Sequence, residues 1–134
     1  MTAAVLRVML VDDHAVVRQG FRMLLDACEG FSVVAEVGDG EQALADYADT
    51  NPDIVVMDLS MPGMGGFEAL RRLLAKAPDA RVLVLSAHEN AAYARRVLKA
   101  GALGYLTKRT APEELLKALP IVAGGQLYLD AAIA

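Results

Sequence analysis

The stretch Leu6-Arg7-Val8-Met9-Leu10-Val11-Asp12-Asp13-His14 decides the fold, because a short apolar run ends abruptly in two acids and a histidine. A run this brief and this rich in Val, Leu and Met predicts a strand covered on both faces, as in a parallel sheet. Outward from it the same unit recurs. Apolar runs follow at Phe31–Val37, Ile54–Met57, Val82–Leu85 and Ala102–Leu106. Helical patterns separate them: Val17, Phe21, Leu24, Leu25 and Cys28 recur at spacings of three and four, as do Phe67, Leu70 and Leu74, and then Leu115, Leu116 and Leu119. Chain breakers fall between the elements at Gly30, Gly38-Asp39-Gly40, Asn51-Pro52-Asp53, Pro78-Asp79 and Gly101. Five strand–helix units in succession predict an α/β fold, a parallel sheet with helices on both faces and right-handed crossovers.

Two local expectations concern the last helix. Thr110 and Glu113 have the spacing of a capping box that opens it. Pro120 falls inside it, removes a backbone donor and disfavours helical geometry at Leu119, so a kink or an early end is expected near Leu119.

Composition bounds the function. The 134 residues suffice for one domain with one sizeable core, and 55% hydrophobic with 5% aromatic residues describes an aliphatic interior. The net charge of −4 argues against direct binding to nucleic acid, which normally needs a basic excess. Arg71-Arg72 and Arg95-Arg96 read as solvated helix faces. A single cysteine, Cys28, excludes an internal disulfide, fits a reducing compartment, and reads as a small core residue. No apolar run approaches the ~18 residues a membrane span needs, and the start lacks the pattern of a signal peptide. A cytoplasmic location is expected.

Polar residues carry the functional signal. The first run ends in Asp12-Asp13, the third in Asp58, the fourth in Ser86 and the fifth in Thr107-Lys108. Open parallel sheets bind ligands beyond the carboxyl ends of their strands, where the strand order reverses. Three carboxylates at one edge repel unless something neutralises them. A hard divalent cation such as Mg²⁺ suits an all-oxygen carboxylate site, and Lys108 can supply a point charge. A metal, a lysine and a hydroxyl around an exposed carboxylate form a site for phosphoryl transfer with the carboxylate as nucleophile.

Four motifs in order carry a family resemblance: Val-Asp-Asp-His at 11–14, Met-Asp-Leu-Ser-Met-Pro-Gly-Met at 57–64, Leu-Ser-Ala at 85–87 and Gly-Tyr-Leu-Thr-Lys at 104–108. They resemble response-regulator receiver domains over roughly residues 6 to 125. Met-Pro-Gly-Met-Gly-Gly and Ala-Gly-Gly-Gln-Leu-Tyr-Leu at 123–129 narrow the likeness to the NarL/FixJ (LuxR-type) group. The resemblance implies a flavodoxin-like, doubly wound five-stranded parallel sheet of order 2-1-3-4-5. It implies Asp58 as phosphoacceptor, Asp13 as a direct Mg²⁺ ligand, Asp12 acting mainly through metal-bound water, and the backbone carbonyl of Ser60 as a further ligand. Ser86 corresponds to the switch hydroxyl, Lys108 to its ion-pair partner, and Tyr105 to the aromatic whose inward or outward rotamer reports the state. Ser60 and His88 stand where this family tunes the lifetime of the phosphoryl group; His88 reads as facing solvent, and His14 as a local structural residue. Arg109 replaces the proline, with its cis peptide, that many receivers carry after the lysine.

Partners follow from the resemblance too. A sensor histidine kinase would supply the phosphoryl group, a homodimer on phosphorylation is allowed, and DNA would be reached only through an effector domain. Residues 1–125 are expected to form the receiver and 126–134 to begin a linker toward a helix-turn-helix domain absent from this chain. The protein is then no enzyme beyond its own phosphorylation and dephosphorylation. Competing readings are a stand-alone receiver acting by protein–protein interaction, a pseudo-receiver, a Mg²⁺-dependent phosphatase with an aspartyl nucleophile, and a nucleotide or flavin module. The phosphatase reading suffers because the acids come from separate strands and no cap domain encloses a substrate. The nucleotide reading lacks a glycine-rich loop after the first strand.

Overall fold

The computed structural model describes residues 5–59, 65–130 and 133. Strands and helices alternate as β1 (Leu6–Val11), α1 (Ala15–Asp26), β2 (Phe31–Val37), α2 (Gly40–Thr50), β3 (Ile54–Asp58), α3 (Gly66–Lys76), β4 (Val82–Ser86), α4 (Ala91–Lys99), β5 (Gly104–Thr107), α5 (Ala111–Ala123) and β6 (Tyr128–Leu129). All strand pairs are parallel and the order is β2-β1-β3-β4-β5-β6. The five expected strands keep the expected order. The two-residue β6 is an addition the apolar runs did not announce, made by Tyr128 and Leu129 pairing with Gly104 and Tyr105.

Side chains alternate across the central strands and divide the interior in two. Met9, Val11, Val55, Met57, Val84 and Tyr105 pack with Ala69, Leu70 and Leu73 of α3 and with Ala94 and Val97 of α4. Val8, Leu10, Ile54, Val56, Leu83, Leu85 and Leu106 face the other way, onto Leu25 of α1 and Leu115, Ala118, Leu119 and Val122 of α5. Burial on both faces explains why β3 and β4 read as continuous apolar runs. The chain leaves β1 for β2 on one side and returns to β3 on the other. The order of strand addition therefore reverses between β1 and β3, and the acids sit at that reversal.

Of the kink or early end expected in α5 the early end is ruled out, and two further local expectations fail. Helix α5 does not end near Leu119; it runs through Val122 to Ala123. Pro120 stands on its exposed side, while Leu119 and Val122 are fully buried and hold the last turn against the sheet. Packing of those two side chains outweighs the hydrogen bond that Pro120 cannot donate. The capping box does not form, since the Thr110 hydroxyl makes no cap bond and instead meets Thr107 and Asp130. Cys28 is only half-buried and lies past the end of α1, so the helical spacing that placed it in the core no longer applies.

Candidate phosphoacceptor site

Asp58, Ser86 and Thr107 are each the last residue of their strand, and Asp12 follows β1 directly. Asp58 closes β3 opposite Leu85 in register and is fully buried, where the sequence reading expected an exposed carboxylate. Its Oδ2 accepts a hydrogen bond from Lys108 Nζ at 3.0 Å. Lys108 follows β5, and its backbone N–H donates to the Ser86 carbonyl at 2.9 Å, which ties the end of β5 to the end of β4. Across the reversal, Asp12 is 4% exposed, and its Oδ1 accepts from the His14 backbone N–H at 2.8 Å. Burial raises the Asp12 carboxyl above its ordinary value, and the charge of Asp58 adds to this against the opposing pull of the His14 hydrogen bond and Lys108.

Ligand atoms of Asp12, Asp13, His14 and Asp58 all lie within 4.8 Å of one another. Asp12 Oδ2 and Asp13 Oδ1 are buried and accept no hydrogen bond from the described residues. Buried anionic oxygens without a donor are costly, and a hard cation satisfies them. The donor set is thus a cation site in its chemistry, with carboxylate oxygens in excess. His14 comes closer to it than a purely local role requires: its Nδ1 lies 3.1 Å from Asp13 Oδ1 and 4.0 Å from Asp58 Oδ2. Ser60, expected to offer a backbone carbonyl, lies outside the described residues, as do residues 61–64 of its motif.

Ser86 and Tyr105 occupy the other flank. Both are fully buried. Ser86 Oγ accepts from the His88 backbone N–H at 3.0 Å, and the Tyr105 hydroxyl donates to the His88 carbonyl at 2.7 Å. Tyr105 is therefore turned inward, and burial raises its phenol above the ordinary value although Ser86 partly offsets this. His88 itself is exposed, with its ring 4.6 Å from that of Tyr93. Arg109, in place of proline, follows Lys108 without a cis bond and pairs with Glu89 across the loops at the rim. The basic pairs lie on solvated faces, with Arg96 also standing 5.5 Å over the Phe67 ring.

Two contributors escaped the sequence reading. Arg18, one turn into α1, donates through Nη1 to the Asp12 carbonyl and so steadies the acid pair. Gly66 lets α3 start against β3: a Cβ there would sit 2.3 Å from Leu59 Cα and 2.5 Å from the Asp58 carbonyl oxygen. Gly66 did appear in the sequence reading, as the last residue of Met-Pro-Gly-Met-Gly-Gly, but its packing role was not read from it.

A family model for the response regulator receiver domain matches residues 8–120. The response regulator GacA of Pseudomonas viridiflava is 40% identical over 129 residues, 96% of this chain and 60% of that protein. UvrY of Escherichia coli is also 40% identical, over 96% of this chain and 59% of its own length. The chain thus spans about three-fifths of these relatives. Among solved structures, a LuxR-family two-component response regulator from Aurantimonas sp. superposes with a TM-score of 0.92 at 42% identity, covering 97% of this chain and 93% of that one. The isolated receiver domain of RcsB from Salmonella enterica serovar Typhimurium, determined with the phosphomimetic BeF₃⁻, gives 0.87 at 27% identity over 96% of each chain.

Proposed function

The chain belongs to the response regulator receiver domain family, and from that premise we propose that Asp58 accepts a phosphoryl group from a sensor histidine kinase in a Mg²⁺-dependent reaction. One observation carries the reading: a fully buried carboxylate at a strand end pairs with Lys108 at 3.0 Å and lies beside two further acids whose buried oxygens accept no hydrogen bond from the described residues.

Asp12, Asp13 and Asp58 would hold the Mg²⁺, which supplies charge neutralisation on the transferring oxygens when bound. A carboxylate oxygen of Asp58 attacks phosphorus, the P–N bond of the donor phosphoimidazole breaks, and the imidazole leaves with the bond's electron pair and takes up a proton. Lys108 places its ammonium where negative charge grows on the phosphoryl oxygens. Ser86 exchanges its contact with the His88 N–H for a phosphoryl oxygen, and Tyr105, bonded to the carbonyl of that residue, reports the change to α4 and β5. An added local charge thereby biases a two-state surface.

RcsB has been determined bound to DNA, with 65% of that chain covered by this one. By analogy the receiver governs a helix-turn-helix domain and works in the cytoplasm, with residues 126–134 leading toward that domain. Incubation with Mg²⁺ and acetyl phosphate is expected to add one phosphate to the wild-type chain by intact mass and none to Asp58→Asn. Equal uptake by the variant would show that the phosphate is carried elsewhere.

A further inference from the structure

The segment after α5 is bonded into the same edge of the sheet by one buried carboxylate. Asp130 is 2% exposed. Its Oδ2 accepts from the Thr107 backbone N–H at 3.0 Å, from the Thr107 hydroxyl at 2.9 Å, and from the Thr110 hydroxyl. The two hydroxyl oxygens lie 3.0 Å apart and converge on that one oxygen. The backbone of the same segment is held as well: Asp130 N–H donates to the Tyr105 carbonyl at 3.0 Å, and Tyr128 N–H to the Leu103 carbonyl at 2.9 Å. A buried carboxylate is tolerated where donors surround it, and leaves its donors unsatisfied when removed.

Position gives this clamp its meaning. Thr107 immediately precedes Lys108, and Thr110 closes the loop that Lys108 opens. Lysine is a point charge on a flexible stem, so where its ammonium stands depends on the backbone that carries it. That backbone is gripped on one side by the Lys108 N–H bond to Ser86 and on the other by Asp130. We propose that Asp130 is a positioning residue for phosphoryl transfer: by fixing Thr107 and Thr110 it aims Lys108 at Asp58, and so it links seating of the post-α5 segment to chemistry at the site. The inference rests on the roles of Asp58 and Lys108 proposed above.

The test follows uptake of phosphate from acetyl phosphate and Mg²⁺ in the wild type, Asp130→Ala, Asp130→Asn, Lys108→Ala and the Lys108→Ala/Asp130→Ala pair. Asp130→Ala is expected to slow uptake by about tenfold, since small misplacements of a transfer group cost one to two decades. The Mg²⁺ concentration for half-maximal rate stays unchanged, because Asp130 acts through Thr107 and Thr110. Asp130→Asn, which keeps the shape and an acceptor oxygen, recovers most of the rate. In the Lys108→Ala background, Asp130→Ala costs nothing further. A folded Asp130→Ala that reacts at the wild-type rate, or loses the same factor without Lys108, overturns the proposal. Should Asp130→Ala not fold, Thr107→Val replaces it, being of equal shape and lacking one donor, under the same two criteria. No uptake by the wild type would sink the Asp58 reading and this inference with it; uptake by the wild type with unaffected Asp130 variants sinks this inference alone.

Discussion

At Gly66 a single hydrogen atom does what no other side chain could. The first turn of α3 lies against the Asp58 carbonyl and the Leu59 Cα, and both obstacles to a Cβ are backbone. Backbone cannot swing aside as a side-chain tip can, so Gly66→Ala must push α3 away from β3 or bend the end of β3. Overpacking of this kind costs on the order of 3 kcal/mol. Because the displaced strand end carries Asp58, the variant is expected to lose phosphate uptake as well as stability. Urea unfolding read by far-ultraviolet circular dichroism, with uptake measured on the folded fraction, checks both; a stable, reactive Gly66→Ala would mean that α3 can relocate freely. The acids, the hydroxyl and the lysine were legible in the sequence because each ends an apolar run, and strand ends converge in a parallel sheet. Gly66, Arg18 and Asp130 were not. Their effect lies in close approach or in reach across the sheet, which no spacing along the chain encodes.

Elements were legible wherever burial repeats, and illegible where one local rule met packing. Pro120 is the clearest instance: local propensity ends α5 near Leu119, yet Leu119, Val122 and the rest of the buried stripe carry it on to Ala123. Helices in proteins owe most of their stability to such packing. Pro120 still leaves the Leu116 carbonyl without its intrahelical donor and crowds it. Pro120→Ala restores that donor at an exposed position near the helix end, where the full ~3 kcal/mol penalty of an interior proline does not apply. The expected gain is about 1 kcal/mol, seen as a rise of several degrees in Tm for a domain of this size. An unchanged or lower Tm would mean that α5 is already bent to accommodate the ring. Thr110 teaches the same lesson in reverse. Its hydroxyl had a good local partner in prospect and was captured by the distant Asp130, a competition invisible until β6 is in place.

On the scale of the whole molecule, the fold assembles a charge conflict and keeps it. Asp12, Asp13 and Asp58 are brought together by the same strand order that makes the sheet, and Lys108 offsets only part of their charge. Sites of this kind are retained for function at a cost in stability. Two consequences have opposite signs and belong to one experiment. Without divalent metal, Asp13→Asn removes one of the repelling charges and should raise Tm. With Mg²⁺, the wild type should gain by mass action, about 2.7 kcal/mol at a concentration a hundred times the dissociation constant, and chelation should return it to its starting value. The variant has lost a ligand and should gain much less. The melting curves of the two proteins are therefore expected to cross as Mg²⁺ is added, the variant being the more stable at zero metal and the wild type at saturation. Parallel curves would show that the acids are neutralised from within the chain, by Lys108, and that no cation is needed to complete the site.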